Sequence, residues 1–171
     1  MSRAFVKESD EDHASDELPE RPLSAHPNYV TPRGLELLKA RLKELQQSRD
    51  RLKADDTSMA KQKLTEVKRD IRYYSAQIDR AIVVDSANQP RDEVRFGAAV
   101  TITDEDGKQQ TFDIVGDDEA DVAAGRIRWA SPLAKALMGA RVGDLVKWQR
   151  PAGALELEVV GIHYAGGHAS R

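Results

Sequence analysis

The sequence predicts an α+β protein: an N-terminal antiparallel helical hairpin followed by a small antiparallel β-sheet with one short helix. Three observations lead there. Apolar residues between 31 and 82 recur at alternating steps of three and four. A single short polar break interrupts them. From Ile82 onward the rhythm changes to period two, punctuated by glycine, proline and aspartate. The boundaries that follow are an acidic, structureless extension over 1–29, a coiled coil over 30–84, a globular domain over 85–164 and a tail over 165–171.

The extension is acidic and contains Pro19, Pro22 and Pro27, with no apolar period. A local strand or turn near Phe5 is the most structure it suggests. The first helix starts at Thr31-Pro32, where the threonine oxygen suits a cap and proline suits a position that needs no amide. Its seam is Leu35, Leu38, Leu42, Leu45 and Leu52, with Arg49 filling the one gap. After Asp55-Asp56-Thr57-Ser58 the rhythm resumes as Ala60, Leu64, Val67, Ile71, Tyr74, Ile78 and Ala81. So short a break turns the second helix back along the first. The result is a two-stranded rod with two aspartates at its tip.

In the second half, 94–96 and 99–103 read as strands. Asp104-Glu105-Asp106-Gly107 reads as a hairpin turn and 110–115 as its partner strand. Residues 125–129 form another candidate. Ser131 and Pro132 open a short helix that Gly139 stops. Residues 145–148 and 155–162 complete the sheet. Trp129 and Trp148 are expected in packing roles.

The net charge of −3 hides a segregation. Residues 1–30 carry 3 basic and 7 acidic side chains, 31–82 carry 13 and 8, and 83–171 carry 10 and 14. The rod is thus basic between two acidic flanks, and Arg49, Arg51, Lys53, Lys61 and Lys63 crowd its tip. Such a face is attracted to an acidic groove or to phosphates, although outer coiled-coil positions are also commonly just solvated charge. The acidic extension is suited to fold back on the rod, with an attraction that salt weakens. There is no cysteine, which excludes disulfides, thiolate metal sites and thiol nucleophiles. No apolar run matches a membrane span and the N-terminus lacks a signal core, so a cytoplasmic, monomeric protein is expected.

The turn Asp55-Asp56-Thr57-Ser58 has an ordinary reading: a loop in which Thr57 or Ser58 caps the second helix beside favourable acids. Ser131-Pro132 is likewise an ordinary helix start. His13, His26, His163 and His168 show no ligand spacing.

Several short motifs recur in a familiar order. They are Thr31-Pro32-Arg33-Gly34-Leu35, Ile82-Val83-Val84-Asp85, Phe96-Gly97-Ala98, and Ile114-Val115-Gly116-Asp117-Asp118-Glu119-Ala120-Asp121. Ser131-Pro132-Leu133-Ala134-Lys135-Ala136-Leu137, Val142-Gly143-Asp144 and Pro151-Ala152-Gly153 follow. Over residues 30–164 the chain resembles the GreA/GreB transcription elongation factors of bacteria. The resemblance implies an FKBP-like C-terminal globule that docks on RNA polymerase at the secondary channel, with the coil inside that channel. It implies that Asp55 and Asp56 assist the polymerase by helping to hold its catalytic Mg²⁺ and a water. The polymerase then cleaves its own backtracked transcript, so nascent RNA is engaged indirectly. On this reading the chain is not itself an enzyme and binds no cofactor tightly. Ser131, Pro132 and Asp121 match the docking region.

The rod departs from the family pattern. It is shorter by several turns per helix, each worth roughly 5 Å of reach. Its tip aspartates are adjacent, where the family separates them with neutral residues. These departures fit an alternative: a non-cleaving relative, of the kind called nucleoside diphosphate kinase regulators, that occupies or blocks the channel. A prolyl isomerase needs an aromatic-lined pocket that this aromatic-poor chain does not promise. A plain nucleic-acid-binding hairpin sits poorly with the acidic flanks.

Overall fold

The computed structural model describes residues 18–165. The turn or strand suggested near Phe5, and all of the expected tail except Ala165, lie outside them. The chain forms β1 (Asn28–Val30), α1 (Pro32–Lys53), α2 (Ser58–Arg80), β2 (Ala81–Val83), β3 (Ala98–Thr103) and β4 (Gln109–Val115). β5 (Arg126–Arg128), α3 (Pro132–Leu137), β6 (Leu145–Arg150) and β7 (Gly153–Tyr164) follow.

The helical hairpin forms on the expected seam. Leu38, Leu45, Ala60 and Val67 are fully buried, while Leu35, Leu42, Leu52, Leu64, Ile71, Tyr74 and Ile78 are half-buried. A rod of two helices has no third layer, so half its seam stays open to solvent. Thr31 caps α1 by accepting from the Gly34 amide at 2.9 Å. Thr57 caps α2 by accepting from the Ala60 amide at 3.2 Å. The helices run roughly 33–35 Å at 1.5 Å per residue.

The globule is a five-stranded sheet in the order β5-β4-β3-β7-β6 with α3 on one face. Period-two alternation places Ala98, Val100 and Ile102 inward and Ala99, Thr101 and Thr103 outward. The inward set joins Ile114, Leu133, Ala134, Leu137, Leu157 and Val159 in the core. Burying each of the larger aliphatic residues contributes about 1.5–3 kcal/mol. Trp129 and Trp148 pack on the edge of this core, as expected. The sheet is α+β in context but mixed rather than wholly antiparallel, because β4 and β5 run parallel. Parallel neighbours need a connection that returns along the sheet. Residues 116–125 make it, with Asp121 bridging to Arg126 and Gly125 re-entering the sheet at φ 74°, a left-handed conformation that favours glycine.

Two local expectations are corrected. Residues 94–96 are not a strand: the Val94 amide and carbonyl bond instead to Ala140 and Gly139 at 2.8 and 2.9 Å, behind α3. The acidic extension is not structureless up to residue 29, because Asn28–Val30 pair in parallel with Ala81–Val83. The chain-local signal there is weak. A three-residue strand is stabilised by the partner that the end of α2 delivers, which no local period reveals.

The approach of β1 to the globule is close. A Cβ added at Gly116 would overlap the Tyr29 backbone carbonyl oxygen. Gly116→Ala is therefore expected to destabilise the protein by about 1–3 kcal/mol, read as a lower urea midpoint at unchanged m-value. An unshifted midpoint would mean that the contact is not tight.

Candidate functional site: the rod tip and its clasp

Asp55 and Asp56 stand at the extreme end of the rod, fully exposed, between the last turn of α1 and the cap of α2. Asp55 Oδ1 accepts the Thr57 amide at 2.9 Å, a turn that re-aims the chain into α2. Hydrogen bonds from Thr57, the backbone amide first, hold the Asp55 carboxyl below the ordinary aspartate range. The carboxylate therefore supports the turn at neutral pH and loses that role as pH falls through its lowered pKa. Asp56 has no hydrogen-bond or ion-pair partner among the described residues. The ordinary turn reading and an open acidic tip therefore coexist: Thr57 caps, Asp55 turns, and the oxygens left over face solvent.

These oxygens are hard donors of the kind Mg²⁺ takes, and Mg²⁺ commonly keeps waters beside one or two carboxylates. Two carboxylates fit part of such a shell. Among the described residues no group of three or more His, Cys, Asp or Glu could hold an ion alone. The tip can share a metal that something else carries.

The basic residues around it divide into two groups. Arg49 pairs with Asp50 at 3.2 Å and Lys63 with Glu66 at 2.8 Å, both in solvent, where such pairs contribute about 0–1 kcal/mol. Arg51, Lys53 and Lys61 are exposed without such partners among the described residues. Arg51 and Lys53 suit the negative C-terminal end of α1. Lys61 lies near the positive end of α2, where helix electrostatics disfavours it. Its placement is not explained by helix stability.

Ser131 spends its hydroxyl on the cap of α3, accepting the Ala134 amide at 3.2 Å, and Pro132 beside it is exposed. Asp121 is exposed and lies 3.5 Å from Arg126. Exposed Val122 follows it, 81% accessible. The side chains expected to dock thus sit on the globule, away from the tip aspartates in chain and element.

A group of residues that sequence reasoning did not single out joins rod to globule. Glu119 is 8% exposed and accepts from Thr31 Oγ1 at 2.6 Å, with Arg33 at 3.4 Å. The Thr31 hydroxyl therefore caps α1 and donates to the globule at once. Asp118 accepts from Tyr73 Oη and Gln77 Nε2, both at 2.7 Å. Gln77 is buried, and its backbone carbonyl accepts from Asn28 Nδ2 at 2.8 Å. Burial first, then the bond to Asp118, raises the Tyr73 pKa well above its ordinary value. A signal was present in the sequence: Tyr73, Gln77 and Arg80, at helical spacing, form a second stripe on α2 beside the apolar seam.

Fold and site together define a helical finger carried at a set angle on a globular base, with exposed acids at its end. Residues 89–164 match the family model of the C-terminal domain of transcription elongation factors GreA/GreB. The chain is 36% identical over 153 residues to transcription elongation factor GreB of Neisseria meningitidis serogroup B (strain ATCC BAA-335 / MC58), covering 80% of this chain and 94% of that one. It is 48% identical over 88 residues to transcription elongation factor GreA of Chelativorans sp. (strain BNC1), covering 51% and 56% respectively. The crystal structure of GreA factor homolog 1 (Gfh1) of Thermus thermophilus superposes at a TM-score of 0.39 with 27% identity, over 81% of this chain and 99% of that one. The chain belongs to the GreA/GreB family of transcription elongation factors. Among the described residues no helix is long and apolar enough to cross a membrane.

The Tyr73 phenol must stay protonated to donate to Asp118. Its pKa is raised in the folded state, so its stabilisation is complete below the ordinary tyrosine pKa of 10 and is lost as pH rises above it. Stability measured by urea titration is expected to fall more steeply between pH 9.5 and about 11 in the wild type than in Tyr73→Phe. Parallel curves would show that this hydroxyl does not carry the effect. At the tip, Thr57→Ala is expected to lower stability by about 1 kcal/mol through loss of the cap, read as fraying of α2 by hydrogen exchange at residues 58–61.

Proposed function

We propose that this protein binds RNA polymerase at its secondary channel, inserts the α1–α2 rod, and assists the polymerase in cleaving backtracked RNA. One observation carries this reading: a pair of exposed aspartates at the far end of a stiff rod, with cations behind them that have no ion-pair partner among the described residues and a clasp holding the rod to its base. Carboxylates so placed can meet a reaction centre belonging to another molecule. A polymerase-held Mg²⁺ supplies a polarised phosphate and a water acidic enough to act near neutral pH. The chain's own work is to bring the free oxygens of Asp55 and Asp56 to that ion and to orient water by hydrogen bonding. Arg51, Lys53 and Lys61 would run along acidic channel walls or RNA phosphates, an attraction that salt weakens. Pro132, Asp121 and the cap at Ser131 form the candidate docking edge on the globule, with nascent RNA engaged indirectly.

A second reading has its own support. The helices of 22 and 23 residues reach roughly 33–35 Å, and one oxygen of Asp55 is occupied by Thr57. A rod too short to meet the metal would occupy the channel without promoting cleavage.

The assay is transcript cleavage in stalled, backtracked complexes of the cognate polymerase. Wild type is expected to stimulate cleavage, and Asp55→Ala/Asp56→Ala to return it to the factor-free rate while still binding. Binding of the wild type without stimulation selects the second reading. Absence of binding removes both.

A further inference from the structure

Residues 18–27 form a strap with little regular structure, yet they are tied down along their length. Glu20 pairs with Arg72 through both carboxylate oxygens, at 3.0 and 3.2 Å from Nε. The Arg21 guanidinium lies 3.8 Å from the centroid of the Tyr73 ring and 5.4 Å from that of Tyr74, and it approaches Asp70 at 3.5 Å. Further on, the Ser24 and His26 carbonyls accept from Arg80 Nη2 at 2.9 and 2.7 Å. The His26 ring then meets Trp129 of the globule edge-on at 5.6 Å, and β1 begins.

The strap bends on its way: the His26 amide donates back to Ser24 Oγ at 3.1 Å, and Pro22 and Pro27 limit backbone freedom on either side. Held to α2 through Glu20 and Arg21 and to the globule through the His26–Trp129 contact, it links the rod to its base.

Tyr73 stands where strap and clasp meet. Arg21 covers its ring face, while its hydroxyl donates to Asp118 on the globule. We propose that Arg21 is a positioning residue: by stacking on Tyr73 and pairing with Asp70 it holds the Tyr73 hydroxyl on Asp118 and so sets the angle at which the rod leaves the globule. The consequence is amplified at the tip. Tyr73 lies about 25 Å along the helix from Asp56, so a tilt of about 10° moves the aspartates by about 4 Å. That exceeds the length of an Mg²⁺–oxygen bond, about 2.1 Å. The significance for cleavage rests on the function proposed above, whereas the positioning itself does not.

The chain has no cysteine, so introduced cysteines are labelled uniquely. Spin labels at Met59→Cys on the exposed tip and Lys108→Cys on the β3–β4 turn report the rod angle in the full-length protein without polymerase, by pulsed dipolar spectroscopy. The wild-type background is expected to give one narrow distance distribution. Arg21→Ala and, separately, Tyr73→Phe are expected to broaden it and shift its mean by several ångströms, with helix content by circular dichroism retained. A distribution in Arg21→Ala as narrow as the wild type sinks the proposal, as does broadening confined to Tyr73→Phe. In the cleavage assay, Arg21→Ala is expected to lower the saturating rate by ten- to a hundredfold at unchanged half-saturating concentration. An equal saturating rate, in a wild type that does cleave, overturns the positional role. A wild type that does not cleave removes the proposed function, and the distance measurement still decides the role of Arg21.

Discussion

The contact between Asp118-Glu119 and the base of the rod is the constraint on which the rest depends. A two-stranded coil has a narrow seam and cannot by itself fix its direction relative to a sheet. Here the direction is set by polar bonds of short range: the Thr31 hydroxyl to buried Glu119, and Tyr73 with Gln77 to Asp118. Hydrogen bonds to a charged acceptor contribute about 1.5–3 kcal/mol each, more than neutral ones. They are also directional, which hydrophobic contact is not. Around them lie close approaches that tolerate little movement, among them Gly34 against Glu119 and Gly116 against the Tyr29 carbonyl.

Stability and reach are thus divided between the two halves. The globule holds the fully buried core, with Val94, Val100, Ile114, Leu137, Leu157 and Val159 excluded from water. The rod keeps four residues fully buried in its seam and spends the rest of its surface on charge. Several of its ion pairs, Lys39–Glu36, Arg41–Glu44 and Lys63–Glu66, join residues three apart on one helix and lie in solvent. They stiffen the helices slightly and leave the surface displaceable by a stronger partner. That arrangement suits the reversible insertion into a partner proposed for the rod.

The strap adds a third support that runs from the rod to the edge of the sheet. Its contacts are individually modest: an exposed ion pair, a guanidinium over a ring, two carbonyls on one arginine. They lie in series along one short segment that joins α2 to Trp129 at the edge of the sheet. Among the described residues the strap lies against α2 around Asp70 to Arg80, through one acid, Glu20, and one base, Arg21; most of the acidic side chains of the extension lie outside the described residues.

The amino-acid pattern by itself determined the elements that local periodicity encodes. The leucine seam, the Thr31-Pro32 and Ser131-Pro132 starts, the break at Asp55-Asp56 and the alternating strands read at 99–103 and 155–162 were all legible, because each is written in residues close in the chain. The family motifs were legible for the same reason. What tertiary structure decided involves partners far apart: the parallel β1–β2 and β4–β5 pairs, the burial of Gln77 and Glu119, and the lie of the strap. A carboxylate in Asp117-Asp118-Glu119 reads the same whether it faces water or a helix forty residues away. Its role is set by which donor the fold brings within about 3 Å, and no local period carries that information.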